Sequence, residues 1–234
     1  MTSNRTVPAY AASRGAHCLA LPAAHRLAAR ERAGHPAPVV RDLRDRDGRG
    51  PRVLLFGPRD VVVVTGLPGA GKSTLMRRTV CGPVIDSQDT RERWDARLAG
   101  RLPYAVYRPL VRLAHYAGLR RALRTGEGLV VHDCGTQPWV RAWLSRAARR
   151  RGGLLHLIVL DVSPEQALDG QRRRGRGVSR YAFGRHRRAT ARLLRDVAAG
   201  EPPAGCGSVT VLDRDSADGL RRIGFTGGHG RITR

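Results

Sequence analysis

Gly66-Leu67-Pro68-Gly69-Ala70-Gly71-Lys72-Ser73-Thr74 follows directly on Asp60-Val61-Val62-Val63-Val64-Thr65. The β-branched run reads as a strand buried on both faces of a parallel sheet. The nine residues after it match G-x-x-x-x-G-K-[ST] in full, at the strand-to-helix junction where that pattern has a mechanism. Its glycines let the backbone curl until successive N–H groups point inward. Together with the N-terminus of the following helix they cradle polyphosphate oxygens. Lys72 is placed to reach β- and γ-phosphates, and the Ser73 hydroxyl to bind Mg²⁺. Composition singles out the same residue: of 43 basic side chains, Lys72 is the one lysine and the other 42 are arginine. A compact point charge fits a tight loop where a planar guanidinium does not. Gly66, Pro68, Gly69, Ala70, Gly71, Lys72, Ser73 and Thr74 are therefore the expected nucleotide contacts, with ATP and Mg²⁺ the expected cofactors.

Around this loop, strands and helices alternate. Arg52 to Phe56 reads as a short strand hairpinned through Gly57-Pro58. Further strands are expected at Pro83 to Ile85, Gly128 to His132, Leu154 to Leu160 and Ser208 to Leu212. One helix is expected from Pro109 to near Gly126, with Leu110, Leu113, Ala117 and Leu123 at helical spacing. Another runs from Pro138 to near Gly152, with Trp139, Trp143, Leu144 and Ala147 along one face. Proline in the first turn and glycine past the last are the punctuation of such helices. The alternation predicts a three-layer α/β/α sandwich on a mostly parallel, five-stranded sheet with right-handed crossovers. Residues 51–225 read as one domain. Residues 1–50, with Pro8, Pro22, Pro36, Pro38 and the charged run Arg41 to Arg49, read as a disordered basic leader, and 226–234 as a flexible tail.

The formal net charge is +24. Because the chain is also rich in Ala, Gly and Pro, a GC-rich genome accounts for much of that arginine, and charge alone does not define a nucleic-acid-binding protein. Residues 141–195 nevertheless hold fifteen arginines against three acids, so an anionic substrate, or weak nucleic-acid binding, is expected of that region. No apolar run approaches the ~20 residues that span a bilayer, and Ala20-Leu21-Pro22 interrupts the one N-terminal apolar patch, against a secretory signal. Cys18, Cys81, Cys134 and Cys206 are scattered without a CxxC pair, which argues against a zinc site or disulfide framework and for a reducing cytoplasm.

With a single lysine the chain cannot carry an N-K-x-D base-reading element, and it has no Asp-Glu pair to end a motor-type strand. It offers instead Ile85-Asp86-Ser87-Gln88-Asp89-Thr90-Arg91-Glu92-Arg93 at the second strand and Val130-Val131-His132-Asp133-Cys134-Gly135-Thr136-Gln137-Pro138 at the third. Asp161-Val162-Ser163-Pro164-Glu165 and then Gln171-Arg172-Arg173-Arg174-Gly175-Arg176 follow the fourth. With the glycine-rich loop, these segments from about Val61 to Leu212 resemble the polynucleotide-kinase-like (zeta-toxin-like) group of phosphate-loop (P-loop) kinases. That resemblance implies an adenylate-kinase-type P-loop NTPase fold with a short Arg-rich lid. It implies Asp89 as the base that accepts the proton of the phosphorylated hydroxyl, Asp133 as a ligand of the Mg²⁺ water shell or a substrate contact, and Arg172 and Arg176 as lid cations. Two departures stand out. Glu92 falls where the family's substrate-phosphate arginine follows the base, and the third-strand Asp-x-Thr-x-Pro is one residue longer.

The chemistry of the residues agrees. Phosphoryl transfer needs positioning and neutralisation of spread negative charge, and carboxylates at strand C-terminal ends face the crevice of an open α/β sheet. Asp86, Asp89 and Asp133 occupy such ends. The expected activity is ATP-dependent transfer to a hydroxyl of a small molecule or nucleic-acid end. The alternative is an ATP-hydrolysing switch or nucleic-acid-associated ATPase without kinase activity. His132 and Cys134 are expected to pack in the interior, because consecutive strand residues point to opposite faces.

Overall fold

The computed structural model describes residues 37–46, 49–98, 102–132, 137–173, 175 and 177–227. In chain order its elements are β1 (Val39–Asp42), β2 (Val53–Phe56), β3 (Val61–Gly66), α1 (Lys72–Thr79), β4 (Val84–Ile85), α2 (Ser87–Leu98), α3 (Tyr104–Arg124) and β5 (Leu129–His132). They continue with α4 (Pro138–Arg150), β6 (Leu155–Leu160), α5 (Pro164–Arg172), α6 (Arg180–Ala198), β7 (Cys206–Leu212), α7 (Arg214–Gly219) and β8 (Arg222–Phe225). The β-branched run is β3, buried at every residue. Six strands pair in the order β1-β7-β6-β3-β5-β4, all parallel. From β3 the chain runs out to β4 at one edge, returns to β5, then crosses to β6 on the other side of β3. Strand order therefore reverses at β3, which puts the ligand crevice at its C-terminal end.

Alternation of side chains divides the core between the two faces of the sheet. Val62, Val64, Val130, Ile158 and Leu160 pack with Leu75 and Met76 of α1, Ala167 of α5 and Ala217 of α7. Val61, Val63, Leu129, Val131, Leu157 and Val159 pack with Leu119 and Leu123 of α3, Val140, Leu144 and Ala148 of α4, and Leu193 and Val197 of α6. Helices thus cover both faces, and the expected three-layer parallel architecture holds.

Several expectations are corrected. The sheet has six strands instead of five, because Val39–Asp42, inside the expected leader, pairs with β7 from Val39↔Ser208 to Asp42↔Val211. All four of its side chains are exposed. An edge strand held by backbone pairing needs no apolar alternation, so nothing in its side chains announced it. Leu43 is then buried against the sheet, and Arg44 bridges to Asp161 at 2.7 Å. Residues 1–36 and 228–234 lie outside the described residues. β2 forms no hairpin through Gly57-Pro58; it pairs in parallel with β8 in a separate two-stranded sheet. α3 begins at Tyr104, and Pro109 lies within its second turn. Its buried face is Tyr107, Val111, His115, Leu119 and Leu123, while Leu110 and Leu113 are exposed. α3 carries apolar residues around most of its circumference, so spacing alone selects no face. On α4 the expected Leu144 is buried, with Trp143 and Ala147 packed partly buried against the core, but Trp139 is exposed and Val140 and Ala148 complete the buried face.

At the opposite end of the sheet from the crevice, Asp60 collects three donors. Its Oδ2 accepts from the Gly57 N–H at 2.6 Å and meets His156 Nε2 at 2.9 Å, and its Oδ1 accepts from the Leu154 N–H at 2.8 Å. With the Nε2 proton directed to the carboxylate, His156 Nδ1 accepts from the Ser208 hydroxyl at 2.8 Å. Ser208 is only 3% exposed, so this Ser–His–Asp chain pins β3, β6 and β7 together and offers no nucleophile to a substrate. Burial pushes the Asp60 carboxyl up, but the bonds from His156, Leu154 and Gly57 outweigh it, and its pKa lies below the ordinary 3.8. A lowered folded-state pKa means that the ionised form stabilises the fold above the unfolded value, and that this stability is lost as pH falls through the folded one. Asp60→Asn should therefore flatten the loss of stability below pH ~4 in urea melts. At neutral pH it should cost about 1–3 kcal/mol, because the amide NH₂ has to face the Leu154 N–H or the pair on the other oxygen.

Candidate active site

The crevice at the C-terminal end of β3 is built from local backbone requirements. Gly66, Gly69 and Gly71 have φ of +143°, +92° and +96°, conformations that L side chains rarely adopt. A Cβ on Gly66 would also lie 2.6 Å from the Leu160 carbonyl oxygen, and one on Gly69 2.0 Å from that of Ala167. A Cβ on Gly71 would meet nothing within 4 Å, because that side opens to the crevice. The loop closes with the Ala70 N–H on the Leu67 carbonyl at 3.0 Å, and α1 begins at Lys72 with Gly71 as its N-cap. Its first N–H groups and the positive end of its dipole face the loop.

Lys72 is 5% exposed, and its ammonium donates to the carbonyls of Gly66 at 3.0 Å and Leu67 at 2.8 Å. Ser73 Oγ is buried with no hydrogen-bond partner among the described residues. A buried hydroxyl of this kind ordinarily finds a partner. Its place one residue beyond Lys72 at the head of α1 fits a divalent cation bound to a polyphosphate. Thr74 is exposed beside the loop.

A cavity of about 430 Å³ adjoins the loop, lined by Gly69, Ala70, Gly71, Thr74 and Leu75 on one side, and by Gln166, Asp169, Gly170, Arg173, Arg214 and Asp218 on the others. Its size and its cations suit the remainder of a nucleotide. Arg173 lines this space. Arg172, the expected lid cation, is turned outward and pairs with Asp169 at 2.8 Å, its side chain largely in solvent. Arg176 and Asp133 lie outside the described residues.

On the β4–β5 side the structure forms a pair that the sequence reading missed. Ile85 is in register with Val131, so the next positions, Asp86 and His132, face each other across the strand ends. Asp86 Oδ1 and His132 Nδ1 are 2.5 Å apart, with both side chains mostly buried. Register between β4 and β5 was the missing signal, since neither residue is distinctive alone. Asp89 lies in the first turn of α2 and is exposed. Its backbone carbonyl accepts from Arg93 Nε at 3.1 Å. α2 is tied to α3 by the Tyr107 hydroxyl, which donates to Asp95 at 2.6 Å.

Parallel sheet order, glycine-rich cradle, buried lysine and the buried serine hydroxyl beside it together define a phosphate-loop nucleotide-binding protein of the kinase type. The chain belongs to the AAA domain family, whose model matches residues 61–197. No curated protein matches its sequence. Among solved structures, one from the PezAT chromosomal toxin–antitoxin system of Streptococcus pneumoniae is 15% identical, covers 84% of this chain and 84% of that chain, and superposes with a TM-score of 0.51. A gluconokinase from Sinorhizobium meliloti is 20% identical over 70% of this chain and 93% of that one, with a TM-score of 0.39. A shikimate kinase from Acinetobacter baumannii, in complex with shikimate, is 17% identical over 69% and 87%, with a TM-score of 0.38. At 15% identity the likeness to the first of these is one of fold.

Proposed function

We propose that this protein is an ATP-dependent kinase that moves the γ-phosphoryl group of ATP to a hydroxyl of a small molecule or nucleic-acid end. The observation that carries the reading is the cradle itself: a buried Lys72 held by loop carbonyls beside a buried Ser73 hydroxyl without a partner among the described residues. When bound, Mg²⁺·ATP supplies the phosphoryl group and an electrophilic centre whose charge is partly neutralised. The backbone N–H groups of Gly69, Gly71, Lys72 and Ser73 would orient the phosphates, and the Lys72 ammonium would neutralise their charge. Ser73 would hold the cation, with Asp133 as the proposed ligand of its water shell. Arg173, just past the end of α5, would face the nucleotide, and the family resemblance adds Arg172, once released from Asp169, and Arg176 as lid cations. Asp89 receives the acceptor's proton, its exposure leaving it accessible to an incoming hydroxyl. A reducing cytoplasm is the proposed compartment; among the described residues no helix is long and apolar enough to cross a membrane.

The test is incubation of the full chain with γ-labelled ATP, Mg²⁺ and a panel of hydroxyl acceptors, including sugars, nucleosides and 5′-hydroxyl oligonucleotides. A kinase moves label onto one acceptor class, whereas a switch releases only labelled phosphate. The arginine excess in 141–195 supports only weak nucleic-acid binding. Affinity for a single-stranded oligonucleotide should fall steeply with salt, with a slope of several phosphates, and vanish near physiological ionic strength, because no aromatic-interleaved basic run supplies stacking. A tight complex that survives 150 mM salt, about the physiological value, would favour the nucleic-acid-associated ATPase.

A further inference from the structure

Gln171, the last residue but one of α5, is 7% exposed, although glutamines mostly lie at the surface. Both ends of its side-chain amide are engaged. Nε2 donates to the carbonyl of Pro68 inside the phosphate loop at 3.0 Å, and Oε1 accepts from the N–H of Val178 at 2.9 Å. Gln171 and Val178 flank the arginine segment 172–177. One side chain therefore closes the stem of that segment and ties the stem to the cradle.

The backbone around it is fitted for close approach. A Cβ on Gly170 would lie 2.2 Å from the Gly69 carbonyl oxygen, and one on Gly69 would strike both Ala167 and the Gln171 side chain. α5 can lie directly on the phosphate loop only because these two residues are glycine. On the far side of the clasp, Ser179 caps α6 by accepting from the Ala182 N–H, so holding Val178 also fixes where α6 begins. With the stem set in this way, Arg173 lines the cavity beside the loop while Arg172 points outward to Asp169. An apolar side chain of equal size would fill the same space, but it would leave a loop carbonyl and a backbone N–H without these partners.

We propose that Gln171 is a positioning residue for nucleotide binding, holding the end of α5 and Val178 against the phosphate loop so that Arg173 faces the cavity before nucleotide arrives. The inference rests on the nucleotide-binding reading above. Preorganisation of this kind raises affinity by removing an ordering cost from the binding step.

Gln171→Met keeps the length of the side chain and removes both bonds. In the unliganded full chain, the Val178 amide is then expected to exchange with deuterium about tenfold faster or more. Affinity for Mg²⁺·ADP, measured by calorimetry, should fall about tenfold, or ~1.4 kcal/mol. Gln171→Glu retains the acceptor for Val178 but not the donor for Pro68. It should keep slow exchange at Val178 and still lose affinity, and it stands in should the Met variant fail to fold. Arg173→Ala should weaken ADP binding while Val178 exchange stays slow. A merely structural glutamine would lower the melting temperature and leave the folded protein's ADP affinity unchanged. Wild-type exchange at Val178 in Gln171→Met, or faster exchange with undiminished ADP affinity, overturns the proposal. Failure of the underlying reading looks different: the wild type itself would bind no ADP, while the exchange difference at Val178 would persist.

Discussion

Lys72→Ala is expected to reduce phosphoryl transfer to background, a loss of roughly 10³-fold or more, given that one preorganised donor at developing negative charge is commonly worth 10²–10³. Lys72 is the one cation that the loop itself encloses, its ammonium spanning the carbonyls of Gly66 and Leu67 at the point where β3 gives way to α1. No arginine lies inside the loop to inherit the role: those lining the adjoining cavity are Arg78 near the far end of α1, Arg173 just past α5 and Arg214 of α7. Nucleotide affinity should also fall, since the cradle's backbone donors remain but its full charge is gone. The fold should survive. Two buried loop carbonyls lose a donor, so the cost should be about 1–3 kcal/mol, and the side chain belongs to neither face of the core. Far-UV circular dichroism and urea melts check the fold, calorimetry the affinity, and labelled-ATP transfer the activity. Lys72→Arg should fail almost as completely, because a planar fork has no room between two carbonyls spaced for a single ammonium. Undiminished turnover in either variant would remove the basis of the proposed function.

Asp89→Asn carries the next largest expected effect. A positioned general base is worth about 10²–10⁴-fold, and the amide keeps shape and hydrogen bonding while it cannot take a proton. ATP affinity should be nearly unchanged, since α2 contributes nothing to the phosphate cradle. The comparison that gives the experiment its force is Asp86→Asn. Asp86 is already committed to His132 at 2.5 Å and mostly buried, whereas Asp89 stands in solvent at the head of α2. The expected order is therefore a crippled Asp89→Asn and a milder Asp86→Asn, because the amide oxygen at 86 can still accept from the imidazole. Transfer to whichever acceptor class emerges from the panel is the measurement. The reverse order would move the base one turn back along the chain, onto the Asp86–His132 pair. If neither change matters with a genuine acceptor, the protein is not a kinase of this type.

The sequence by itself determined the parallel α/β frame and the place of the phosphate loop. Both rest on local physics. Six consecutive residues from Val61 to Gly66 are buried because a β-branched run in the middle of a parallel sheet has no polar face to turn outward. Gly66, Gly69 and Gly71 take positive φ values that few other residues accept, and Lys72 is the single lysine in the chain. Such requirements are written in residues that are neighbours along the chain.

What the tertiary structure decided are relations between residues far apart in sequence, which no window along the chain contains. The edge strand β1 is legible only in its backbone pairing with β7, because its four side chains are all exposed. The buried Asp60–His156–Ser208 chain joins residues up to 148 positions apart through β3, β6 and β7. Asp86 meets His132 only through the register of β4 on β5. That Arg173 lines the cavity while Arg172 turns out to Asp169 depends on how the end of α5 meets the loop, and adjacent like side chains carry no mark of that rotation. Gln171 ties this stem to the loop by reaching 103 residues back to Pro68 and seven forward to Val178. Propensity and periodicity act over a few residues, whereas a hydrogen bond between distant segments exists only once the sheet has brought them together.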